Sequence, residues 1–329
     1  MAKQADGRLL RMASADNRLI NLTSYPVKDV LDLLLQDKST GRNIIFATDS
    51  YKGGYPGIEA TTQITKEALF NFRDLEIQPR VLKSAAAQAT RTRKSAEVFT
   101  PSWVCNKMNN HCDEEWFGRG AVFNTEDGES WLVNPNPVEF PEGKTWRQYV
   151  DSNRLEITCG EAPYIVSRYD ASTGELIPIE RRIGILDRKL RVVNENAADE
   201  GEWHEWVLRA FQSVYGYEYQ GDNLLIARIN LLMTYVDYCQ ARWGELPTKA
   251  QLKKIANVIV WNLWQMDGIT GSIPFGKAST FEPQMSLFDL IVDESMPVDD
   301  AEETIDCKIY DWRSRKPLVY NSMKKGGMR

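Results

Sequence analysis

The chain has 329 residues, of which 43% are hydrophobic, so it can bury a large core in one large domain or two smaller ones. Its formal net charge of -6 argues against a purely electrostatic nucleic-acid binder, although a local basic patch on an acidic body is compatible with it. The sequence contains no apolar run long enough to span a bilayer and no signal-peptide core at its start, which favours a cytoplasmic protein with no membrane partner.

The cysteines and histidines limit the chemistry that the chain can perform. Its five cysteines are scattered and contain no Cys-x-x-Cys pair, so neither a disulfide framework nor a zinc ribbon is indicated. Only two histidines occur, His111 and His204, which disfavours His-rich metal sites and Ser-His-Asp catalysis. The group Cys105, His111, Cys112 and Asp113 matches no standard metal site and is better explained as a helix surface, so no metal is predicted.

The first part of the chain predicts one helix and one strand. Residues 1–24 are polar and predict a loose arm or a first short element. A helix is predicted from Tyr25 and Pro26 onward, because Val27, Val30 and Leu34 recur at helical spacing. Residues 43–47 predict a buried strand that leads into a polar, glycine-rich loop at 48–55.

Residues 80–94 carry five basic side chains and no acid on an alanine-rich, helical background. Two interpretations remain open, a solvated helix face and an edge that contacts DNA phosphates. The candidate DNA-binding residues are Arg80, Lys83, Arg91, Arg93 and Lys94.

The next segments are Phe99-Thr100-Pro101 and a short strand with a glycine turn at 155–165. Thr100 is expected to cap a helix whose first position is Pro101, and residues 117–145 predict loop or short strands. In the turn after the strand, Gly160 and Ala162 are small enough for a ligand to approach the backbone. Alone this turn is a weak indication, because a Gly-x-Ala sequence recurs by chance.

The remaining elements are predicted in chain order as follows. They are an excursion with β character at 177–194, a helix at 203–211, a strand at 214–219 with an acid near its end, helices at 222–238 and 248–258, a strand at 259–267 that ends in an acid, an acidic peripheral loop at 282–303, and two strands at 305–310 and 317–320 around a turn.

Four segments stand in a specific order: Phe99-Thr100-Pro101, the turn from Glu156 to Ala162, the strand ending at Glu218 and the strand ending at Asp267. This order resembles the amino-methyltransferases of restriction-modification systems. It is similar to the type I and IIG-like adenine-N6 group, in which a Phe-Thr-Pro segment precedes the S-adenosylmethionine (SAM) motif. The resemblance covers residues 96–268. It implies an α/β fold with a Rossmann-like class I SAM-dependent methyltransferase core, which is a doubly wound and mostly parallel sheet.

The resemblance also implies a domain organisation and two binding partners. An N-terminal α/β extension with the basic helix would cover residues 1–95, and the core would cover 96–281 with an inserted segment at about 166–202. Residues 282–329, an acidic loop with a C-terminal hairpin and basic tail, would face a partner. The implied cofactor is SAM and the implied substrate is DNA.

Roles carried over from the family fall on individual residues. Phe99, Thr100 and Pro101 would flank the methionine end of SAM, and Glu156 would face its ammonium group. Glu218 would accept the ribose hydroxyls. The full implied cofactor set is Phe99, Thr100, Pro101, Glu156, Thr158, Cys159, Gly160, Ala162, Glu218, Tyr219, Met266 and Asp267.

Met266 would pack on the adenine ring. No catalytic residue is assigned beyond Asp267, which would lie near the adenine or the target amine. Where the family has a glycine this chain has Ala162, which is tolerable if that position needs no positive φ.

One family motif is absent from the sequence. Adenine methyltransferases in this order continue to an Asn-Pro-Pro-Tyr motif that clamps the exocyclic amine and stacks on the flipped base, whereas this sequence contains no Pro-Pro. We therefore expect an incomplete core, the N-terminal SAM-binding half of a split methyltransferase whose missing motif begins a second polypeptide. Such a half should bind SAM but transfer almost no methyl groups alone, because methyl transfer depends on positioning and charge compensation.

Three other interpretations stay open. The chain could be a catalytically inactive SAM-binding regulatory or specificity subunit of a defence complex. Asp306-Cys307-Lys308 is similar to the end of a metal-dependent nuclease core, which is a weaker alternative. Asn262 and Gln265 could form a degenerate amine clamp next to Trp261 and Trp264, although a core strand with aromatic packing is favoured there.

Overall fold

The computed structural model describes residues 19–52, 54–71, 77–95, 97, 100–277 and 304–324. The α-helices are α1 (Val27–Leu34), α2 (Lys66–Asn71), α3 (Ala85–Ser95), α4 (Ser102–Phe117), α5 (Trp146–Asp151), α6 (Ile185–Asn196), α7 (Glu200–Gln212), α8 (Gly221–Trp243), α9 (Lys249–Asn262) and α10 (Tyr320–Lys324). The strands are β1 (Asn124–Asp127), β2 (Ser130–Val133), β3 (Arg154–Glu156), β4 (Val214–Glu218), β5 (Leu263–Gln265), β6 (Ser272–Lys277), β7 (Thr304–Asp306), β8 (Lys308–Asp311) and β9 (Lys316–Val319).

A parallel three-stranded sheet in the order β3-β4-β5 organises the fold. Arg154 is opposite Val214, and Gly216 of the central strand is opposite Leu263. Helices α6 and α7 lie between β3 and β4 in the chain, and α8 and α9 lie between β4 and β5. Because parallel strands need long crossover connections, this alternation of strands and helices is what a parallel sheet requires. The protein is therefore of mixed α/β class.

Helix α8 is the central helix of the main core. Its residues are buried on nearly every side, and it contacts α9, α1, β4 and β5. Arg228 of α8 is fully buried, and its guanidinium donates to the carbonyl oxygens of Leu263, Leu34 and Gln36. Since these carbonyls lie at the C-terminal ends of α9 and α1, Arg228 connects both helix ends to α8.

The prediction of a buried strand at 43–47 was only partly right. This segment forms isolated bridges, among them Ile45 opposite Gln63, and does not join the parallel sheet. Its backbone instead meets the start of α8, where Gly221 donates its N–H to the oxygen of Phe46. A Cβ on Gly221 would lie 1.9 Å from the Ile45 oxygen, so only glycine fits this approach.

The prediction of β character at 177–194 was wrong. After a short 3-10 turn at Ile179–Arg181 the chain forms helix α6, which buries Leu186 and Leu190. Lys189 of the same helix is also buried, and its ammonium donates to the Val150 oxygen at 3.1 Å and to Ser213 Oγ at 2.6 Å. Because charged residues occupy several of the buried positions, the sequence does not show the apolar residues at helical spacing that would predict this helix.

Other element predictions were close to the structure. Helices at 203–211, 222–238 and 248–258 and the strand at 214–219 are confirmed with shifted ends. The strand predicted at 259–267 is shorter, because α9 continues to Asn262 and β5 covers only Leu263–Gln265. Thr100 is not the helix cap, since Pro101 holds the N-cap position of α4 and the Ser102 N–H donates to Asp170 Oδ2.

The C-terminal strands form antiparallel pairs beside the main sheet. β8 and β9 make the predicted hairpin, and β6 pairs with β7. A small second core joins these strands to Tyr217 and Trp264 of the parallel sheet. The residues predicted as an acidic loop at 282–303 lie outside the described residues. Of the helices in the described ranges, none has both the length and the apolar surface needed to cross a bilayer.

Candidate functional site

The turn that follows β3 has an unusual backbone. Thr158, Gly160 and Ala162 all have positive φ, at 46°, 55° and 64°. This left-handed region suits glycine but is strained for a β-branched threonine and for alanine. The turn therefore requires a positive φ at Ala162, a question that the sequence alone did not decide. The strain of the turn lies next to two acids that end strands, Glu156 and Glu218.

Glu156, the last residue of β3, points back into the turn. Its carboxylate accepts the backbone N–H groups of Tyr164 at 3.4 Å and Ile165 at 3.2 Å. Burial raises the pKa of Glu156 well above its ordinary value, although these two donors act in the opposite direction. Glu156 is therefore held in a position where a nearby positive charge would favour its ionised form.

Glu218, the last residue of β4, connects two turns. One oxygen accepts the Gly160 N–H at 2.8 Å and the other accepts the Gln220 N–H at 3.1 Å. Burial raises the pKa of Glu218 to about 7, against these two backbone donors, which lower it. The carboxylate thus fixes the ends of β3 and β4 next to each other and titrates near neutral pH.

Both acids line a cavity of about 740 Å³ at the carboxyl ends of β3 and β4. Ligand pockets for small molecules have volumes of roughly 300–1,000 Å³. Four carboxylates belong to the wall of the cavity, and the described residues that line it include no lysine or arginine. These acids are Glu97, Glu156, Glu161 and Glu218. Glu97 is already paired with the Arg91 guanidinium at 2.5 Å, so the other three acids decide the preference of the cavity for a cation or a ligand rich in hydroxyl groups over a phosphate-bearing one.

The cavity brings together most of the predicted cofactor residues. They are Thr100, Glu156, Thr158, Cys159, Gly160, Glu218 and Tyr219. Ala162 is fully buried behind the turn, and Pro101 holds the N-cap position of α4. The prediction for Phe99 falls on a residue outside the described ones.

Met266 and Asp267 do not line the cavity. Met266 is fully buried in the small second core, where its sulfur accepts the Trp264 Nε1–H at 3.2 Å. The Asp267 carboxylate accepts the backbone N–H groups of Ile269 at 2.8 Å and Thr270 at 3.3 Å, so it holds its own turn. Of the three strand-end acids, the structure thus brings two into one cavity.

The predicted DNA-binding residues lie on and before helix α3, and their charges are mostly used inside the protein. The Arg91 guanidinium is buried and pairs with Glu97 Oε2 at 2.5 Å and with Asp222 Oδ2 at 2.9 Å. Lys83 also pairs with Asp222, at 3.3 Å, and Arg80 lies 3.7 Å from Glu97. Arg93 is exposed on α3, whereas the side chain of Lys94 lies outside the part of the chain that the structure describes.

Sequence reasoning missed several residues of the cavity wall. Glu97, Gln220 and Asn223 line it, and the Arg91 guanidinium donates to Gln220 Oε1 at 2.6 Å and to Asn223 Oδ1 at 3.3 Å. In the sequence, only the positions of these residues relative to the predicted segments could have indicated that they line the cavity. Glu97 stands two residues before Phe99 of the Phe-Thr-Pro segment, and Gln220 and Asn223 follow the strand that ends at Glu218, where α/β proteins place ligands.

The alternative sites gain no geometric support. Both amide groups of the suggested clamp are engaged internally: the Asn262 amide bonds the Phe211 and Val214 oxygens, and Gln265 bonds the backbone of Ile45. In the nuclease-like segment, the Asp306 carboxylate accepts the Asn321 amide at 2.7 Å. Among the residues that the structure describes, no group of three or more potential ligands could hold a metal ion.

No protein-family model matches the chain, and no match was found among curated proteins or solved structures. The site itself defines a mixed α/β protein in which two parallel strands end at an acidic cavity.

Proposed function

We propose that this chain is the SAM-binding subunit of a split DNA adenine-N6 methyltransferase in a restriction-modification or phage-defence system. Its amine-clamping Asn-Pro-Pro-Tyr motif would come from a partner chain. The proposal includes a Rossmann-like core, for which the parallel order β3-β4-β5 is half of the expected sheet.

The observation that carries the proposal is the charge of the cavity. The described wall combines the N-terminus of α8, at Gln220 and Asn223, with four acids and no basic lining residue. Only Glu97 among these acids is paired with a buried cation, Arg91, so Glu156, Glu161 and Glu218 disfavour a phosphate-bearing cofactor. SAM carries a positive sulfonium and a positive ammonium group, and its ribose presents two hydroxyls. Glu156 would face the ammonium group, and the Glu218 carboxylate would accept the hydroxyls.

In the proposed reaction the methyl-sulfur bond breaks while a bond forms between that methyl group and the exocyclic nitrogen of adenine, which then loses a proton. The residues of this chain would bind and orient the donor. The adenine would have to leave the DNA stack and be held by the partner's clamp. Orientation of two reactants is a major source of rate enhancement, so each half alone should be nearly inactive.

Titration calorimetry with SAM, ATP and NAD tests the cofactor assignment. We expect SAM to bind in the micromolar range and the two phosphate-bearing nucleotides to bind far more weakly. Glu218→Ala should weaken SAM binding by at least about tenfold, because hydrogen bonds to a charged acceptor are lost. Glu129→Gln removes the same charge from an exposed hairpin position and should leave SAM binding unchanged.

Binding of ATP in preference to SAM, or equal SAM binding by the Glu218→Ala protein, would contradict the assignment. A second assay separates cofactor binding from catalysis. Transfer of tritiated methyl groups to DNA by this chain alone should stay at background. Robust transfer without any other protein would remove the need for a partner but leave SAM binding intact.

A further inference from the structure

A second cavity, which we call the basic cavity, lies between helix α3 and the loop at 48–55. Its volume is about 550 Å³, and its described wall contains two cations, Lys83 and Arg91, and no acid. The acidic cavity has the opposite composition, with four carboxylates and no basic side chain on its described wall. The two cavities therefore differ in the charge of the ligand that each one favours.

Buried carboxylates hold both cations of the basic cavity in place. The Lys83 side chain is 9% exposed, and its ammonium lies 3.3 Å from Asp222 Oδ2. The Arg91 side chain is 3% exposed and pairs with the same carboxylate at 2.9 Å and with Glu97. Neither Asp222 nor Glu97 lines the basic cavity. The two acids thus orient the cations without filling the space in front of them.

The wall of the basic cavity carries hydrogen-bond donors that are not used inside the protein. The Lys83 ammonium has three N–H groups, of which Asp222 accepts one and no other described residue accepts any. Helix α3 begins at this wall with no acid in its first turn, and the Ala86 N–H has no acceptor among the described residues. Lys83 and Ala86 both line the cavity. A cationic side chain beside the free N–H groups of a helix start favours an anion.

The recessed position of these donors limits the form of the anion. The phosphates of a DNA duplex lie on a convex surface and are each bonded to two sugars, so they reach exposed cations more easily than buried ones. A terminal phosphate can enter a concave site, and it brings close to two negative charges and three acceptor oxygens. The cavity is also larger than one phosphate group. The remaining wall, which includes Tyr51, Tyr55 and Ala87, leaves space for an attached organic group.

We infer that the basic cavity is a second ligand site, which binds the terminal phosphate of a small phosphate monoester through Lys83 and the first turn of α3. The ammonium and the Ala86 N–H would donate to the phosphate oxygens. The inference does not depend on the proposed function, which concerns the acidic cavity.

The test is an NMR titration of the wild-type chain with nitrogen-15 in its alanines. The probes are inorganic phosphate, AMP and cyclic AMP, which has the base and sugar of AMP but a phosphodiester. We expect phosphate and AMP to shift the Ala86 amide signal to saturation and to leave Ala256 in α9 unchanged. Cyclic AMP should bind at least about tenfold more weakly than AMP, because it carries one charge and no terminal phosphate. An unmoved Ala86 signal, or equal affinity for AMP and cyclic AMP, overturns the inference.

Two substitutions on α3 form a matched pair. Thr90 lines the cavity at an exposed position, and its hydroxyl donates within the helix to the Ala86 oxygen at 2.9 Å. Thr90→Glu should weaken AMP binding by at least about tenfold, because it adds a negative charge to the wall and leaves the pair of Lys83 with Asp222 intact. Ala89→Glu adds the same charge at an exposed position of α3 that does not line the cavity, and the loss should stay below about threefold. Unchanged AMP affinity in Thr90→Glu contradicts the inference, and the wild-type titration decides the matter if that variant does not fold.

Competition experiments identify other occupants of the basic cavity. A DNA duplex without terminal phosphates should leave the AMP-induced shift of Ala86 unchanged, and displacement of AMP by this duplex would assign the cations to the DNA backbone and overturn the inference. Saturating SAM should also leave the shift unchanged, since the two ligands occupy different cavities. Competition between AMP and SAM would place AMP in the acidic cavity and overturn the inference. If SAM fails to bind in calorimetry while AMP shifts Ala86, the proposed function fails and the phosphate site still holds.

Discussion

The single carboxylate of Glu218 accepts hydrogen bonds at the ends of two strands. Its oxygens receive N–H groups from the turn after β3 and from the turn after β4. Each carboxylate oxygen has two lone pairs, so the backbone donors leave capacity for ligand hydroxyls. The same side chain can therefore hold the turns in place and contribute to the wall of the cavity.

Ala162 offers a test of the strain in the turn. Its φ of 64° is costly for a residue with a Cβ, by about 1 kcal/mol. We expect Ala162→Gly to raise the free energy of unfolding by about 0.5–1 kcal/mol, because glycine adopts this conformation without the steric cost. Urea unfolding followed by circular dichroism measures the change.

The matched control is Ala256→Gly in helix α9, a fully buried alanine within a regular helix. There the same change should lower the free energy of unfolding by about 1 kcal/mol. Because both substitutions delete a buried methyl group, a loss of stability at Ala162 as large as that at Ala256 would show that the positive φ of Ala162 carries no strain.

The candidate site was predictable from the sequence only in part. The turn and the two acids were identified because a strand end, small residues and a carboxylate leave a local pattern. Asp267 had the same local pattern, yet its carboxylate holds its own turn. Whether a strand-end acid faces a ligand or its own backbone depends on the path of the following residues, which no local pattern specifies.

At the scale of elements, helix α3 is held beside the acidic cavity by a buried network of charges. Arg91 connects Glu97 before α4 with Asp222 at the start of α8. Burial alone would raise the pKa of Asp222, but Lys83 and Arg91 outweigh it and hold that pKa below its ordinary value. The predicted basic helix is therefore partly a structural element, with its buried cations directed inward.

Two arginines on α3 separate the structural role from the DNA-binding role. Arg91→Met leaves Glu97 and Asp222 without their shared buried partner and should cost roughly 3–5 kcal/mol of stability, measured by denaturant unfolding. Arg93→Met, at an exposed position, should change stability by less than about 0.5 kcal/mol. If α3 contacts phosphates, the Arg93 variant should also reduce the salt dependence of DNA binding by about one charge.

Other outcomes of these two measurements would change the roles assigned to Arg91 and Arg93. If Arg91→Met keeps full stability but binds DNA less tightly, Arg91 contacts DNA phosphates and the buried network is unimportant. If Arg93→Met binds DNA like the wild type, the solvated-face interpretation of this part of α3 is correct.

The elements themselves were predictable where burial follows a regular period. Helix α1 buries Val27, Val30 and Leu34 at helical spacing, and the sequence predicted it. Helix α6 was missed because Arg188 and Lys189 are buried and donate hydrogen bonds to partners outside the helix, Asp113 and Ser213. A charged residue in the core is stabilised by tertiary contacts, which a period of apolar residues cannot show.

At the scale of the whole molecule, the parallel sheet and the acidic cavity belong together. The order β3-β4-β5 brings two acidic strand ends to one edge of the sheet, and burial raises the pKa of both Glu156 and Glu218 above the ordinary value. The fold therefore holds acids whose charge is unfavourable without a cation. Ligand binding and the stability of the molecule should consequently depend on pH in opposite directions.

For the ligand-free chain, the folded state binds protons more tightly than the unfolded state, because burial raises the pKa of Glu218 from 4.5 to about 7. Its contribution to stability is fully present below pH 4.5 and is lost as the pH rises through about 7. The melting temperature should fall across this window, and it should fall less steeply in Glu218→Gln, which cannot titrate at this position.

SAM should reverse this dependence, because its positive groups favour the ionised carboxylates. We expect the dissociation constant to decrease by about tenfold from about pH 6 to about pH 8, with proton release detected by calorimetry in buffers of different ionisation enthalpy. The stabilisation by saturating SAM should increase over the same range, since it follows the affinity. Affinity that is constant with pH, or proton uptake on binding, would mean that the ligand does not meet ionised Glu156 and Glu218, and the acidic cavity would then have to serve a neutral or anionic molecule.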